Sequence, residues 1–385
     1  MSREPLYLDA NGTSPPAPGL WELMAKVAQE CYGNPGSAHQ IGRIARKKLE
    51  ESRQIVAQVF QARTSEVIFT SGGTESTNLA ILGLAEPVPV ERRTILTTNG
   101  EHPATRESVQ RLIQRGWKRI EIPLIRSGLI DHEFLKSLDW SEVGLVAVLL
   151  AHNETGVIQD CSVIREKCAE QRIPWHVDIV QAVGRIPVSF QELGATAASG
   201  AVHKCHGPRG VGVLLLKEGY PFTPSLVGGF QEKGRRPGTE AVPLIAGLAE
   251  TLRDWHDHAA ERYAELLALR DRFENLLLES LSEISINGRE APRLPNTSNV
   301  MFSGVDGEAM LASLDLEGVC CSLGSACASG SAEPSPVLLA MGIEPELARS
   351  AVRFSLHRQL TQADVAEAVQ RIVRVATRLR AFAAS

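Results

Sequence analysis

Apolar runs alternate with helical segments between about residues 66 and 216. The runs rich in β-branched or other apolar residues predict strands at 66–70, 94–98, 144–151, 173–178 and 210–217. Helical segments at 74–84 and 106–115 lie between them. This alternation is typical of an α/β layer built on a largely parallel sheet. Open α/β sheets bind ligands at the carboxyl ends of their strands, so polar residues at those ends are candidate site residues.

The pattern changes beyond about residue 250. Apolar residues at helical spacing predict a long amphipathic helix, and they are Leu266, Leu269, Phe273, Leu276 and Leu277. An apolar segment at 299–302, a helix at 308–316 and a strand at 351–356 are expected after it. Thr361 and Asp364 form the pattern of a capping box at the start of a last helix. These elements predict a second, smaller α+β domain.

Composition narrows the class of protein. The 385 residues are 43% hydrophobic and 22% charged, which is typical of a packed globular protein rather than a disordered or collagen-like chain. A formal net charge of −5 gives no reason to expect direct nucleic-acid binding, which needs many cations. The longest apolar run, 144–151, is shorter than the ~20 residues that span a bilayer. Residues 1–9 lack the features of a signal peptide, so we expect a cytoplasmic protein without membrane attachment.

The cysteines predict at most one or two reactive thiols. There are seven, an odd number, and without a secretory signal a disulfide framework is disfavoured. Most are expected to be inert buried thiols. Cys327 differs, because small residues and glycines surround it and predict an exposed, mobile loop from which a thiolate can reach a substrate. The alternative is an incidental cysteine in a small-residue turn.

A candidate anion site lies at Ser71-Gly72-Gly73-Thr74, between a predicted strand and a predicted helix. The glycines let the backbone approach an anion, the helix start presents N–H groups, and Thr74 adds a hydroxyl. The run matches neither the nucleotide P-loop nor the dinucleotide fingerprint, so a phosphate on a smaller molecule is expected. An ordinary helix cap with a tight turn gives the same pattern.

Two further strand ends carry candidate chemistry. Asp178 ends a predicted strand, where it would hold a protonated ring nitrogen such as the pyridinium of pyridoxal phosphate (PLP); capping of the next helix is the alternative. Lys204, before a Gly-Pro turn, would be desolvated and nucleophilic enough to form a Schiff base. His203, Cys205 and His206 suggest a metal site, but no second ligand pair has the spacing of a zinc site, so no metal is expected.

An arginine, Arg353, lies inside an otherwise apolar predicted strand. A guanidinium there needs a partner, and a ligand carboxylate held in a bidentate pair is one solution. An internal salt bridge is the other.

Together, in their order along the chain, these motifs resemble the cysteine desulfurases, in the branch of fold-type I PLP enzymes named after the nitrogen-fixation and housekeeping iron–sulfur enzymes. Further matching runs include Asn153-Glu154-Thr155-Gly156 and Gly324-Ser325-Ala326-Cys327. The matching segments are 7–9, 32–39, 71–76, 153–156, 176–181, 203–204, 207–210, 234–240, 324–327 and 352–355. The resemblance therefore extends over almost the whole chain.

The resemblance implies a fold and an activity. The fold would be a large PLP-binding domain at 13–252, with a mainly parallel seven-stranded sheet flanked by helices. A small α+β domain, formed by 1–12 and 253–385, would carry the Cys327 loop. The activity would convert L-cysteine to L-alanine and place the sulfur on Cys327 as a persulfide. A homodimer would deliver it to an acceptor protein, for iron–sulfur cluster assembly or for thiolation of tRNA or a cofactor.

The same resemblance implies roles for single residues. Lys204 would hold PLP covalently and then move the proton at the substrate Cα, and Cys327 would be the nucleophile. His102 would stack on the PLP ring and assist acid–base steps. Asp178 would hold the pyridinium nitrogen, and Gln181 would bond the ring hydroxyl.

The remaining implied roles concern the phosphate and the substrate carboxylate. The phosphate ligands would be Gly73, Thr74 and His203, with Thr239 reaching it from the partner subunit. Asn153 and Arg353 would fix the substrate carboxylate, and Asn153 would also contact the cofactor.

Three residues depart from the family pattern. Ala201 replaces a serine that binds the phosphate, His152 replaces a second asparagine, and Cys205 follows the lysine. The alternatives are a selenocysteine or cystine C–S lyase, an aminotransferase on the same fold, or an assembly partner with reduced catalytic capacity.

Overall fold

The computed structural model describes residues 5–324 and 334–383. The strands are β1 (Leu6–Tyr7), β2 (Val67–Thr70), β3 (Thr94–Thr98), β4 (Lys118–Ile122), β5 (Val143–Leu149), β6 (Trp175–Asp178), β7 (Ala197–Ala201), β8 (Gly212–Leu216), β9 (Ile284–Ile286), β10 (Thr297–Phe302), β11 (Val319–Cys320), β12 (Ser322–Leu323) and β13 (Ala351–Ser355). The helices are α1 (Leu20–Glu30), α2 (Gln40–Val59), α3 (Gly73–Ala85), α4 (Pro103–Ile113), α5 (His132–Ser137), α6 (Ser162–Gln171), α7 (Phe190–Leu193), α8 (Val242–Asp257), α9 (Ala259–Ser280), α10 (Gly307–Leu316), α11 (Pro336–Ala340), α12 (Pro345–Arg349) and α13 (Gln362–Ala383).

A seven-stranded sheet has the order β2-β8-β7-β6-β5-β3-β4. Strand β8 runs antiparallel to β2 and β7, and the other neighbouring pairs are parallel. The prediction of a mainly parallel seven-stranded sheet is confirmed. Because β2, β3, β5, β6 and β7 share one direction, their carboxyl ends meet at one edge, which is where open α/β sheets bind ligands.

Helices cover both faces of this sheet. In β2, Val67 and Phe69 pack into one apolar cluster and Ile68 into another, and β5 repeats the alternation with Val146 and Leu145. Helices α2 and α8 supply buried residues to the first cluster, and α3 and α4 supply them to the second. Burial on both sides explains why the strands of this sheet are continuous apolar runs in the sequence.

A second core is built around a four-stranded antiparallel sheet with the order β12-β13-β10-β9. Helices α9, α10 and α13 pack on it, together with Leu6 and Leu8 from the start of the chain. The predicted amphipathic helix is α9, in which Phe273 is fully buried. The capping box at α13 is present, since Thr361 N donates to Asp364 Oδ2 at 2.7 Å and Asp364 N donates to Thr361 Oγ1 at 3.1 Å.

The sequence patterns missed two strands of the main sheet. Strand β4 is an edge strand with three exposed residues, so its sequence contains charges instead of an apolar run. Strand β7 consists of small residues with low intrinsic strand propensity, and its pairing with β6 and β8 decides its conformation. No helix in the described residues is long and apolar enough to cross a membrane.

Candidate active site

A cavity of about 420 Å³ lies at the sheet edge where the carboxyl ends of five strands meet. Nine of the predicted site residues line it, namely Gly73, Thr74, His102, Asn153, Asp178, Gln181, His203, Lys204 and Arg353. The other lining residues are Asp9, Asn11, Gly12, Leu149, Ala151, Val180 and Ser322. The volume lies within the range of ~300–1,000 Å³ that is typical of small-molecule sites.

One end of the cavity is the start of α3, formed by Gly73 and Thr74. The first turn of a helix presents N–H groups without intrahelical partners, and its dipole favours an anion. A side chain at position 73 is excluded, because a Cβ there would lie 2.7 Å from Val180 Cγ2. Ser71 N donates to Glu75 Oε2 at 2.7 Å, and Glu75 also pairs with Arg236. The contacts of Glu75 with Ser71 and Arg236 therefore hold the turn, and Gly73 and Thr74 line the cavity.

The departure at Ala201 removes a hydroxyl from this end of the cavity. Ala201 is fully buried and lies next to Gly73. A Cβ added at position 73 would be 3.8 Å from the Cβ of Ala201. Ser199 does not replace the hydroxyl, because Ser199 Oγ lies 2.8 Å from Thr77 Oγ1 and 2.9 Å from His176 Nε2. An anion at the α3 start thus relies on backbone N–H groups and on Thr74.

The middle of the cavity contains a buried acid, Asp178, at the end of β6. Its Oδ1 accepts from Val180 N at 2.8 Å, so it does cap the following turn, as the alternative interpretation stated. Burial raises the pKa of the Asp178 carboxyl, while the nearby His102 and Lys204 and the Val180 N–H lower it. A buried carboxylate surrounded in this way is stabilised by any cation that enters the cavity.

His102 is the N-cap residue of α4, and its Nδ1 accepts from Ala104 N at 3.1 Å. Burial lowers the pKa of His102, and Asp178 opposes that shift. Because Nδ1 accepts, the neutral ring carries its proton on Nε2. His102 is therefore a fixed imidazole at the cavity wall with one N–H donor.

Glu101, directly before His102, is a buried acid that the sequence motifs did not single out. Its Oε1 accepts from Thr98 Oγ1 at 2.7 Å and from Leu149 N at 3.2 Å. Burial raises the pKa of Glu101 to about 8, with Asp178 adding to the shift and the Thr98 and Leu149 bonds opposing it. At neutral pH Glu101 is thus mostly protonated, and it is held by hydrogen bonds directly before His102.

Lys204 and His203 follow β7 and are held by the start of the chain. The His203 carbonyl accepts from Ser14 N at 2.8 Å, and His203 Nδ1 lies 3.3 Å from Thr13 Oγ1. The Lys204 carbonyl accepts from Arg185 Nη2 at 3.1 Å. Burial, together with the nearby Lys204, lowers the pKa of His203 to about 4, so its imidazole is neutral.

Gln181 is oriented by two neighbours. Its Nε2 donates to the Asn11 carbonyl at 3.2 Å, and its Oε1 accepts from Arg185 Nη1. Asn11 in turn donates from Nδ2 to the Asn153 carbonyl at 3.0 Å. A second N–H of the Gln181 amide remains as a donor toward the cavity side.

Arg353 closes the opposite end of the cavity from strand β13. Its Nη2 donates to Asp9 Oδ1 at 2.6 Å and its Nη1 to the Asn153 carbonyl at 3.2 Å. The salt bridge that the sequence left open as an alternative is therefore present. It does not use every donor, because Arg353 Nε is buried without a partner among the described residues. A buried guanidinium with one carboxylate partner is suited to hold a second carboxylate.

Two predicted or questioned residues, Thr239 and Cys205, lie outside this cavity, and a third, Cys327, is not among the described residues. Thr239 is exposed and does not line the cavity of its own subunit. Cys205 is buried outside the cavity, and burial raises the pKa of its thiol to about 12, so it is not a second reactive thiol at this site. Cys327 falls in 325–333, outside the described residues.

Sequence reasoning missed Asp9, Asn11 and Gly12 as site residues. They come from the N-terminal segment, which joins the second core through Leu6 and Leu8 and reaches the cavity only in three dimensions. The resemblance at residues 7–9 was a signal for Asp9. No local pattern marked Asn11, which is nevertheless almost fully buried and bonded to five partners: Asn153, Thr297, Ser355, Asn296 and Gln181.

The lining residues fit a phosphorylated aromatic aldehyde such as PLP. The start of α3 would receive the phosphate, the buried Asp178 would face a protonated ring nitrogen, and Lys204 supplies an amine in the same cavity. Arg353 is then left to hold the carboxylate of an amino acid. In the described residues no cluster of three or more metal-ligating side chains is present.

Comparisons with known proteins agree with this fit. The model of the family described as aminotransferase class-V matches residues 6–367. A cysteine desulfurase IscS of Dictyoglomus turgidum is 38% identical over 380 residues, covering 99% of this chain and 96% of the relative. An IscS-like cysteine desulfurase of Mycobacterium tuberculosis is 40% identical over 376 residues, covering 94% of each.

Solved structures show the same relationship. A NifS-like protein superposes with a TM-score of 0.89 at 33% identity, covering 97% of this chain and 100% of the other. The structure of SspA in complex with cysteine superposes with a TM-score of 0.79 at 29% identity, covering 91% of this chain and 98% of the other.

Proposed function

The chain belongs to the aminotransferase class-V family, and from that membership we propose that it is a PLP-dependent cysteine desulfurase. The observation that carries this proposal is the single cavity in which a helix start, a buried acid, a lysine and an arginine meet. The related chains named cysteine desulfurase support the same activity. The reaction converts L-cysteine to L-alanine and moves its sulfur to Cys327.

Each end of the cavity has a separate binding task. Gly73, Thr74 and His203 would hold the phosphate of PLP, and Gln181 would donate to the ring hydroxyl. Asp178 would lie at the ring nitrogen, where a carboxylate would keep that nitrogen protonated. When bound, PLP supplies an electron sink for the negative charge that forms at the substrate Cα.

The substrate is held at the opposite end. Arg353 and Asn153 bind the cysteine carboxylate, and Asp9 fixes the guanidinium from behind through its 2.6 Å bond. Lys204 Nζ takes the proton from the substrate Cα and later returns one. The His102 ring is fixed by its bond from Ala104 N, and it would stack on the cofactor and assist the acid–base steps with Nε2–H as a hydrogen-bond donor.

The sulfur step forms one S–S bond and breaks one C–S bond. The Cys327 thiolate attacks the sulfur of L-cysteine, and the electron pair of the Cβ–S bond stays on the Cβ side, where protonation gives the methyl group of alanine. The products are alanine and Cys327 with one added sulfur, so atoms and electrons balance without an external oxidant. An unperturbed thiol has a pKa of about 8.5, so at neutral pH its proton must be removed before attack.

Replacing Cys327 by alanine tests this step. We expect L-cysteine to add one sulfur atom to the wild-type Cys327 peptide and none to that peptide in Cys327→Ala. Alanine release is expected to fall at least about 100-fold, because the variant has no nucleophile to accept the sulfur. Mass spectrometry of the peptide and an alanine assay measure both effects. Cys168→Ala is the control, because Cys168 is a buried cysteine of α6 that does not line the cavity.

Full alanine production by Cys327→Ala would refute the persulfide route and favour the C–S lyase alternative. Absence of PLP uptake by the wild-type protein would refute the PLP-dependent activity as a whole.

We also propose a homodimer that places Thr239 at the phosphate of the partner subunit. Two apolar side chains are exposed in the segment 227–238, which leads to Thr239: Val227 is 94% exposed and Phe230 is 87% exposed. Exposed apolar groups close together indicate an interface. The segment is held by buried Glu232, which makes a bidentate pair with Arg53 at 2.8 Å on both bonds.

Changing Phe230 to aspartate is therefore expected to shift the protein from dimer to monomer. The charge would have to be buried in the interface, and loss of Thr239 from the partner would lower PLP retention. Light scattering after gel filtration measures the mass. The matched control is Leu316→Asp, also at a residue that is 87% exposed, but on α10 of the second core. An unchanged mass for Phe230→Asp would contradict the proposed interface.

The proposal extends to cell biology and domain organisation. We propose a cytoplasmic enzyme that passes its sulfur to an acceptor protein, in iron–sulfur cluster assembly, as the IscS name of the relatives suggests, or in thiolation of tRNA or a cofactor. We also propose the division into a large domain at 13–252 and a small domain of 1–12 and 253–385. The packing of Leu6 and Leu8 against α9 and α13 residues supports that division.

A further inference from the structure

The segment that contains Cys327 begins and ends beside one buried carboxyl group, that of Glu154. Gly324 and Ser335 are described residues on the two sides of 325–333. Ser335 Oγ donates to Glu154 Oε2 at 2.5 Å. A Cβ at position 324 would collide with the same oxygen and would lie 3.1 Å from Ser335 Cβ. Both ends of the segment therefore contact Glu154.

The Ser335 hydroxyl does not have its usual role. Ser335 is the N-cap residue of α11, and a serine there normally accepts a bond from the first turn of the helix. Ser335 makes no such capping bond. The hydroxyl is buried and donates across to Glu154. The contact to Glu154 thus replaces a local interaction that stabilises a helix end.

Glu154 is itself fixed to the wall of the active site. Its backbone N donates to His152 Nδ1 at 3.1 Å, and His152 Nε2 lies 2.7 Å from the Gly100 carbonyl, two residues before His102. Glu154 also follows Asn153, whose carbonyl accepts from Arg353. The departure from the family pattern at His152 thereby joins the His102 turn to Glu154.

The charge environment agrees with a hydrogen-bonding role for this carboxyl. Burial raises the pKa of Glu154 to about 7, while the Ser335 hydroxyl, Arg353 and Arg106 lower it. A buried carboxyl group with a hydroxyl partner is costly to remove or to leave unpaired.

We propose that Glu154 is a positioning residue for the sulfur transfer: it fixes the two ends of the Cys327 segment, at Gly324 and Ser335, to the wall that holds the substrate carboxylate. This inference rests on the proposed function. Holding both ends of a chain segment together removes conformations and raises the effective concentration of a group within it. Glu154 therefore acts on the rate at which Cys327 reaches the substrate sulfur, and not on PLP or cysteine binding.

Three variants test the role in the full-length holoenzyme. Ser335→Ala removes the hydroxyl with little change of volume, Glu154→Ala removes the carboxyl, and Glu154→Gln keeps an oxygen that accepts from Ser335. Ser350→Ala is the control, because Ser350 is also buried and its hydroxyl donates to the nearby Leu347 carbonyl rather than to Glu154. The measurements are PLP absorbance, the KM for L-cysteine, kcat for alanine, and the rate of sulfur addition to Cys327.

We expect sulfur addition and kcat to fall about 10-fold in Ser335→Ala and about 100-fold in Glu154→Ala, the scale of loss for small misplacements of reacting groups. KM and PLP content should change less than about 3-fold in both. Glu154→Gln and Ser350→Ala should remain near the wild type. Thermal unfolding shows whether each variant is folded. If Glu154→Ala fails to fold, the result for Ser335→Ala decides whether the inference holds.

Wild-type sulfur addition in Ser335→Ala and Glu154→Ala would overturn the inference. A fall in PLP content together with a rise in KM, parallel to the fall in sulfur addition, would also overturn the inference. Such changes would indicate a structural role for Glu154. A wild-type enzyme that adds no sulfur to Cys327 would instead refute the proposed function.

Discussion

Replacing Lys204 by alanine is expected to lower the rate of alanine formation from L-cysteine by roughly 10⁴-fold, since in the proposed function the amine both holds the cofactor and moves the proton at Cα. The variant should lose the visible absorbance of covalently held PLP and release the cofactor on gel filtration. The backbone around it should persist, because Arg185 binds the Lys204 carbonyl and not its side chain. Absorbance spectra and an alanine assay on the same preparation measure both effects.

Lys204→Arg is the control for charge. It keeps a cation at the position but has no amine that condenses with an aldehyde. We expect it to be as inactive as Lys204→Ala while binding PLP phosphate more tightly. An active, coloured Lys204→Ala protein would contradict the assignment of the lysine.

Changing Asp178 to asparagine is expected to lower the rate by about 10²–10³-fold, the size of effect that follows loss of a preorganised electrostatic contact. The two side chains have the same shape, and asparagine Oδ1 can still accept from Val180 N, so the turn after β6 should be kept. Only the negative charge is removed. Without it the ring nitrogen loses its proton more easily and the cofactor becomes a weaker electron sink.

The pH dependence of absorbance distinguishes this effect from simple misfolding. In the wild type, the buried acid is expected to keep the ring nitrogen protonated to higher pH, and in Asp178→Asn that transition should move to lower pH. Asp160→Asn provides a matched control, because Asp160 Oδ1 likewise accepts from the N–H two residues on, Ser162 N at 2.9 Å, but lies outside the cavity. Equal spectra and rates in Asp178→Asn and the wild type would contradict the role of Asp178.

Local patterns predicted the residues whose position depends on their neighbours in the chain. Gly73 and Thr74 lie at a strand-to-helix turn, Asp178 ends β6, and Lys204 follows β7 closely. A strand end or a helix start, readable from short-range periodicity, points Gly73, Thr74 and Asp178 to the same edge. Lys204 was marked instead by the Gly-Pro turn after it, because β7 itself was missed. The ambiguity at Asp178 was also real, because the residue both lines the cavity and caps a turn.

Arg353 shows where local patterns stop. The sequence left a choice between an internal salt bridge and a ligand carboxylate, and the structure contains the salt bridge to Asp9 together with a donor that has no partner among the described residues. The two residues are 344 positions apart. No pattern of neighbouring residues encodes such a contact, since it arises from the packing of the N-terminal segment against the second core.

The sequence by itself determined the class of fold and the edge of the sheet that binds ligands, because periodicity and turn chemistry act over a few residues. The family resemblance added other lining residues, among them His102, Asn153 and Gln181. Only the tertiary structure decided that Asp9 and Asn11 join the site, that Cys205 does not, and that Glu154 contacts both sides of the Cys327 segment. These are contacts between distant parts of the chain. They depend on how whole elements pack, and this packing is determined by residues throughout both cores and not by any short segment of the chain.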